Sequence, residues 1–149
     1  MKSILFVCLG NICRSPLAHG VASSYVDRND LDIKVDSCGT SSFHIGETPC
    51  NNSQKVAHLH NIDISTLQSR QVTKDDFVDY DFIIALDDNN YDDLLELGCP
   101  KNKLSKLGFY GYENKDVLDP YFFNGFEGFE KVYTMIEDCT IQLINNMRK

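Results

Sequence analysis

One segment near the N-terminus constrains the fold more than any other. An apolar run, Ile4-Leu5-Phe6-Val7, leads into a loop that reads Cys8-Leu9-Gly10-Asn11-Ile12-Cys13-Arg14-Ser15-Pro16. Apolar residues then recur at helical spacing, at Leu17, Ala18, Val21, Ala22 and Tyr25. Ser15 and Pro16 suit the start of that helix, Ser15 as its cap and Pro16 in its first turn. The pattern predicts a buried strand that enters a helix through a tight loop.

The rest of the chain alternates strand-like and helix-like segments. Strands are predicted at residues 2–7, 31–36, 81–86 and 103–107, and helices at residues 51–60, 89–97 and 126–147. Residues 37–49 and 108–125 are predicted to be loops because turn-forming residues are frequent there. The alternation indicates an α/β fold, Rossmann-like or flavodoxin-like, in which helices cover both faces of a parallel sheet. We expect one domain over residues 1–149.

Charge and composition exclude several classes of partner. The net charge of −8 disfavours binding to nucleic acid and to anionic membranes. The first apolar run is too short for a secretion signal or a membrane span, so a cytoplasmic protein is expected. The six cysteines include no CxxC pair and lie at no zinc-ligand spacing from the histidines, so no metal is expected. Four of them, Cys38, Cys50, Cys99 and Cys139, are interpreted as structural.

The loop after the first strand has the residues of an anion site. Ligands of such sheets lie at the carboxyl ends of the strands, which is the position of Cys8. Gly10 and Asn11 suit a strained backbone whose N–H groups converge on an anion, and Arg14 can hold two phosphoryl oxygens. The same groups favour the thiolate form of Cys8, which could attack phosphorus and form a phosphocysteine. The alternative is a buried strand-end cysteine and a surface arginine. We call residues 8–15 the phosphate loop.

A second segment could supply the proton that a phosphate ester needs at its leaving oxygen. Asp119-Pro120 opens an aromatic stretch, residues 119–123, which we call the acid loop. Pro120 restricts Asp119 to an extended backbone. A carboxylic acid held over the phosphate could protonate the leaving group and then activate water. On sequence grounds alone, the favoured interpretation is that Asp-Pro simply opens a turn before the last helix.

The chain resembles the low-molecular-weight protein tyrosine phosphatases. The matching segments are VCLGNICRSPLA at 7–18, LDPYF at 118–122, DSCGTSS at 36–42, SRQVTKDDF at 69–77 and FIIALDDNN at 82–90. The resemblance implies a four-stranded parallel sheet flanked by helices and an enzyme that needs no cofactor. It implies Cys8 as nucleophile, Arg14 as phosphate clamp and Asp119 as general acid. Phosphate would be bound by Leu9, Gly10, Asn11, Ile12, Cys13, Arg14 and Ser15.

The same resemblance assigns supporting residues. Asn11 would bond to Ser37, Ser15 would stabilise the Cys8 thiolate, and Arg70 with Asp87 would form a pair behind the loop. The chain departs from the family at His19, expected to face solvent with little effect, and at Leu67, where some members have a buried histidine. Phe122 replaces the second tyrosine of a pair, which leaves only Tyr121.

A phosphotyrosine substrate would need a slot with apolar walls. Ile12, Phe43, Tyr121 and Phe122 are the predicted walls, although each could instead fill the core or a turn. Members of the family that prefer phosphoarginine tend to have Thr at the position of Ile12, so phosphotyrosine proteins are the expected substrates. A cognate tyrosine kinase could produce these substrates. Oxidised Cys8 could be trapped as a Cys8–Cys13 disulfide, although Cys13 could instead only fill space behind the loop.

Two further functions compete with this interpretation. A thioredoxin-coupled arsenate reductase shares the fold and loop but needs another cysteine pair near the third strand, where the chain reads ALDDNNYDD. A non-catalytic phosphoprotein-binding module would need neither Cys8 nor Asp119. Both alternatives therefore explain fewer residues than a phosphatase does.

Overall fold

Four parallel strands form one sheet in the computed structural model, which describes residues 1–123 and 125–148. They are β1 (Lys2–Cys8), β2 (Ile33–Gly39), β3 (Phe82–Ala85) and β4 (Leu104–Lys106). Their order across the sheet is β2-β1-β3-β4. The parallel four-stranded sheet predicted from the sequence is confirmed. Its strand order places β1, and hence the phosphate loop, at the centre.

Helices cover both faces of the sheet. Within the described residues they are α1 (Arg14–Arg28), α2 (Asn51–Leu59), α3 (Asp76–Asp79), α4 (Asp88–Glu96) and α5 (Glu127–Met147). Helices α1, α2 and α5 pack together on one face, whereas α4 packs on β3 and β4. None of the helices described is long and apolar enough to cross a membrane.

The alternation of side chains along β1 divides the core into two layers. Ile4, Phe6 and Cys8 point into the layer beneath α1 and α5, and Leu5 and Val7 point into the opposite layer. The four apolar residues 4–7 are fully buried, and complete burial stabilises the fold by about 1.5–3 kcal/mol for each large aliphatic or aromatic side chain. The strand is therefore a rigid base, and Cys8 is its last residue.

Strand β2 lies further along the chain than the sequence predicted. It was expected at residues 31–36 with a loop from Ser37, but Ser37, Cys38 and Gly39 pair in register with the end of β1. The small residues there are explained by the phosphate loop, because a Cβ on Gly39 would lie 2.6 Å from the Leu9 carbonyl oxygen. The small residues at the end of β2 thus allow the backbone of the phosphate loop to approach this strand closely.

Two features of the helices also differ from expectation. The start of α1 is at Arg14, with Cys13 as its N-cap, so Ser15 lies in the first turn and is not the cap. The short helix α3 was not predicted, because four residues are too few to establish a helical period. The Ser15 hydroxyl therefore does not cap the helix.

Candidate active site

The carbonyl oxygens of the phosphate loop are bound by groups outside it. The pairs, at 2.8–3.1 Å, are Thr40 N with Cys8 O, Ser41 N with Leu9 O, Ser69 Oγ with Gly10 O, Cys50 N with Ile12 O and Ser53 Oγ with Cys13 O. Among the described residues every peptide bond is trans, so each N–H points away from the preceding carbonyl. The N–H groups of the loop are thereby turned inward, as an anion site requires.

Asn11 is the residue that shapes the loop. Its φ of 56° is left-handed, a conformation that asparagine tolerates better than most residues. The side chain is 2% exposed and donates through Nδ2 to Ser15 Oγ (2.7 Å) and Ser37 Oγ (3.1 Å), while Oδ1 accepts from Arg70 N (3.1 Å). Gly10, also expected to take a strained conformation, does not have a positive φ. The loop's turn therefore depends on Asn11.

The sulfur of Cys8 lies at the base of the loop with two polar neighbours. Asn11 N–H donates to Cys8 Sγ at 3.2 Å, and Ser15 Oγ lies 3.0 Å from the same sulfur. Ser15 is fully buried, and its hydroxyl is aligned by the Asn11 amide that donates to it. The sulfur therefore has two hydrogen-bonding neighbours at the base of the loop.

Arg14 is held at its position by groups from two distant segments. Its Nη1 donates to Asp87 Oδ2 (2.6 Å) and to the Val117 carbonyl (2.8 Å). Burial alone would lower the pKa of the guanidinium, but the Cys8 sulfur and the Asp87 carboxylate raise it above its usual value. Arg14 therefore keeps its positive charge beside Cys8, with its orientation fixed.

Arg70 supports the loop through partners that differ from those predicted. It forms ion pairs with Asp36 (3.0 Å) and Asp76 (2.9 Å), and its backbone N–H binds Asn11. Asp87 pairs with Arg14 instead, so the predicted Arg70–Asp87 pair is wrong. Although burial opposes it, the hydrogen bonds from Arg70 hold the pKa of Asp76 below its usual value. Arg70 and Asp87 therefore support the phosphate loop from separate sides.

A cavity of about 180 Å³ opens above the phosphate loop. It is lined by Cys8, Leu9, Gly10, Ile12, Cys13, Arg14, Ser41, Phe43, His44, Asp119 and Tyr121. Asp119 is exposed, and its Oδ1 accepts from Tyr121 N–H (2.9 Å), which caps a 3-10 turn at Pro120–Phe122. The fold thus brings Asp119, Ile12, Phe43 and Tyr121 to one cavity with Cys8 and Arg14.

Phe122 does not belong to this group, contrary to the sequence prediction. It is 75% exposed, lies outside the cavity lining and packs edge-on against Phe123. The 3-10 turn separates the directions of neighbouring side chains, and Tyr121 is the one that lines the cavity.

Comparison with known proteins decides the family to which this site belongs. The sequence model of the low molecular weight phosphotyrosine protein phosphatases matches residues 3–149. The chain belongs to this family. It is accordingly a phosphatase.

Similar proteins include enzymes named for two different substrates. Low molecular weight protein-tyrosine-phosphatase PtpA of Staphylococcus aureus is 41% identical over 152 residues, covering 100% of this chain and 96% of PtpA. A protein tyrosine phosphatase from Entamoeba histolytica is 34% identical with a TM-score of 0.92, covering 99% and 97% of the two chains. A Drosophila arginine phosphatase is 31% identical with a TM-score of 0.91, covering 100% and 99%.

His19, a departure from the phosphatase family's sequence pattern, is not solvent-facing as predicted. Its side chain is 13% exposed, and Nδ1 lies 2.9 Å from Ser37 Oγ and 4.0 Å from Asp36 Oδ1. Burial lowers the pKa of His19, which favours the neutral ring. His19 therefore joins the Asn11–Ser37 network from α1. Leu67 is half-buried and packs against the core.

Several residues of this phosphatase site were missed from the sequence. They are Val117 and Asp36, which hold the two arginines; Ser41 and His44 in the cavity wall; Ser69 beneath Gly10; and Cys50, which lies 2.9 Å from the sulfur of Cys13. No local pattern marks these residues, since each contact joins segments far apart in the chain. Among the residues described, no three His, Cys, Asp or Glu side chains form a group that could hold a metal.

Proposed function

We propose that this phosphatase hydrolyses phosphotyrosine in proteins through a cysteinyl-phosphate intermediate. Cys8 is the nucleophile, Arg14 clamps the phosphate, and Asp119 acts as general acid and then as general base. The observation that carries the proposal is the surroundings of Cys8 Sγ. Ser15 Oγ lies 3.0 Å from it and Asn11 N–H 3.2 Å, within a loop whose carbonyls are bound from outside.

The first step transfers the phosphoryl group to sulfur. The Cys8 thiolate attacks phosphorus, a P–S bond forms, and the ester P–O bond breaks. Inward N–H groups and Arg14 bind the phosphoryl oxygens, whose charge they stabilise without rearrangement. Asp119 gives its proton to the leaving phenolate oxygen, and tyrosine departs.

The second step releases inorganic phosphate. The Asp119 carboxylate takes a proton from water, and the resulting hydroxide attacks phosphorus opposite the sulfur. The P–S bond breaks, and Cys8 returns to the thiolate that Ser15 and Asn11 stabilise. Asp119 ends the cycle protonated, as it began.

The cavity walls support a planar aromatic substrate. Of the residues that line the cavity, Ile12 is half-buried, whereas Phe43 and Tyr121 are 84% and 63% exposed. Apolar faces at those positions can hold a phenyl ring between them while the phosphate rests in the loop.

We further propose that the enzyme is one cytoplasmic domain acting on products of a tyrosine kinase.

A matched pair of cysteine variants tests the proposal. Cys8→Ser should abolish hydrolysis of a phosphotyrosine peptide yet still bind inorganic phosphate. Cys99→Ser, at a buried cysteine in the opposite core layer, should keep wild-type kcat. Hydrolysis by Cys8→Ser at the wild-type rate would contradict the mechanism.

Substrate choice is tested with phosphotyrosine and phosphoarginine peptides of one sequence. We expect kcat/KM to be at least about tenfold higher for phosphotyrosine, a preference of about 1.4 kcal/mol. Ile12→Thr should narrow that ratio. A higher kcat/KM for phosphoarginine in the wild type would reassign the substrate class while leaving the role of Cys8 intact.

A further inference from the structure

Two thiols meet beside the phosphate loop without taking part in the proposed hydrolysis. The sulfur of Cys13 lies 2.9 Å from the sulfur of Cys50, although the residues are 37 positions apart in the chain. Both are half-buried and neither is in a disulfide. Cys13 is the N-cap of α1, and Cys50 is the N-cap of α2. Two helix starts therefore present their first side chains to each other.

The backbone around this pair fixes the contact. Cys50 N–H donates to the Ile12 carbonyl (2.8 Å), and Ser53 Oγ donates to the Cys13 carbonyl (3.1 Å). Cys50 Sγ also lies 3.1 Å from Ser53 Oγ. These bonds tie the phosphate loop to the first turn of α2 on both sides of the two sulfurs. The hydrogen bonds to the Ile12 and Cys13 carbonyls thus keep the two cysteines next to each other.

The two sulfurs have unequal proton affinities. A hydrogen bond from Cys13 lowers the pKa of Cys50 to about 6, although burial opposes the shift. The same contact and burial raise the pKa of Cys13. Cys50 is therefore the sulfur of the pair that loses its proton more readily. A thiolate beside a thiol is the arrangement from which a disulfide forms.

We propose that Cys13 and Cys50 form a second reactive site, a dithiol that reduces hydroperoxides and closes to a disulfide. The inference does not depend on the phosphatase mechanism, because neither sulfur acts in that reaction. It assigns to Cys50 a chemical role that its sequence context did not indicate.

The chemistry balances with a hydroperoxide as the oxidant. The Cys50 thiolate attacks the terminal peroxide oxygen, an S–O bond forms and the O–O bond breaks, leaving Cys50 sulfenic acid and an alcohol or, from hydrogen peroxide, water after protonation. Cys13 then attacks the sulfenic sulfur, and the sulfenic hydroxyl leaves with the Cys13 proton as water, which gives the Cys13–Cys50 disulfide. The two sulfurs lose two electrons in all, which the peroxide gains. An external dithiol restores both thiols.

Access and competition both favour this pairing. Cys13 lines the open cavity, and Tyr121 in the same lining is 63% exposed, so a small peroxide can reach the pair. Cys8 Sγ instead has Ser15 Oγ and Asn11 N–H as its neighbours. Cys13 should therefore pair with Cys50 before it pairs with Cys8, contrary to the Cys8–Cys13 disulfide expected from the sequence.

Peptide mapping under non-reducing conditions tests the proposal. Reduced protein is treated with limiting hydrogen peroxide, alkylated and digested. Wild type and Cys8→Ser should both give the Cys13–Cys50 crosslink, because Cys8 is not needed for it. In Cys50→Ser that crosslink must vanish, whereas Cys99→Ser, at a buried cysteine away from the site, should retain it.

Two results would overturn the assignment. One is a Cys8–Cys13 crosslink as the main product in wild type, and the other is the absence of any Cys13–Cys50 crosslink in both wild type and Cys8→Ser. Urea unfolding of Cys50→Ser should remain cooperative, which shows that the variant is folded. Failure of the phosphatase mechanism would appear only in the hydrolysis measurements, and failure of the dithiol site only in the maps.

Discussion

The phosphate loop and the acid loop serve one cavity but are built in opposite ways. In the phosphate loop, Asn11, Arg14 and Ser15 are 2%, 8% and 0% exposed, and surrounding segments bind the backbone carbonyls. In the acid loop, Tyr121 and Phe122 are 63% and 75% exposed, and Asp119 is anchored through a hydrogen bond to the next-but-one residue. One loop is part of the core, and the other lies on the surface.

The difference fits the roles that we propose for the two loops. Binding a phosphoryl group demands fixed dipoles and a fixed charge, because stabilisation of charge is largest where no group has to reorient. Proton transfer demands only that a carboxyl group reach the leaving oxygen and later a water molecule. Substitutions in the phosphate loop should therefore affect stability and activity together, and substitutions in the acid loop should affect activity alone.

The largest effect is expected from Asp119→Ala. Without the proton donor, kcat/KM for phenyl phosphate, which reports the first step, should fall by about 10²–10⁴-fold, because phenolate is a poor leaving group. The loss should be much smaller for p-nitrophenyl phosphate, whose leaving group needs little protonation. Steady-state kinetics with both esters measure the difference.

The control for this variant is Asp27→Ala, which removes an exposed carboxylate from α1. It should leave both esters unaffected, and urea unfolding of Asp119→Ala should match the wild type. Equal losses on the two esters would show that Asp119 does not supply the proton.

Asn11→Ala should change both stability and catalysis. It removes bonds to Ser15, Ser37 and Arg70 and places alanine at a φ of 56°, so we expect a loss of about 3 kcal/mol in the free energy of unfolding. The loop would no longer be held in shape, and kcat/KM should fall at least about tenfold, or about 1.4 kcal/mol. Urea unfolding and steady-state kinetics measure the two effects.

Asn61→Ala is the matched control, since Asn61 has a similar φ of 63° but is exposed. It should lose only the conformational part, about 1–2 kcal/mol, with wild-type activity. Equal destabilisation in the two variants would mean that the Asn11 side-chain bonds add nothing.

His19 should make the phosphate loop's support sensitive to pH. Burial lowers the pKa of His19 below 6.5, with Asp36 opposing and Arg70 reinforcing the shift. The unfolded chain then binds the proton more readily, so stability is complete above about pH 6.5 and falls as the pH drops through the unfolded and then the folded pKa. His19→Gln should flatten that fall in urea unfolding between about pH 8 and about pH 5. An unchanged pH slope would contradict this role.

The smallest effects are expected at Tyr121 and Phe122, the aromatic residues of the acid loop. Tyr121→Ala removes a cavity wall and should raise KM for a phosphotyrosine peptide by roughly fivefold, about 1 kcal/mol. Phe122→Ala, at an exposed side chain outside the cavity, should change KM by less than about twofold. A larger effect at Phe122 than at Tyr121 would show that substrate binds on a different face of the loop.

Local patterns in the sequence were sufficient for the parts of this molecule that depend on neighbouring residues. The apolar run at residues 4–7 predicted β1, and the helical spacing after Pro16 predicted α1. Both patterns arise from burial along a single strand or helix, which is directly visible in the spacing of apolar residues. The position of Cys8 at a strand end followed from them.

Contacts between distant segments could not be predicted from those patterns. The carbonyl of Val117 that binds Arg14, the acids that pair with Arg70, and the ring of His19 against Ser37 all depend on how strands and loops come together. The Cys13–Cys50 contact is of the same kind, since it needs two helices to begin at one point. Phe122 was assigned to the cavity because sequence proximity to Tyr121 does not reveal the direction of a side chain in a 3-10 turn.

The most direct test of the mechanism is to capture the phosphoryl group on Cys8. Asp119→Ala mixed rapidly with p-nitrophenyl phosphate should form the intermediate faster than it can hydrolyse it. We predict a burst of p-nitrophenolate equal to the enzyme concentration, and acid-quenched digests with the phosphoryl group on the peptide that contains Cys8. The absence of both the burst and the modification, or a phosphoryl group on another residue, would contradict the account.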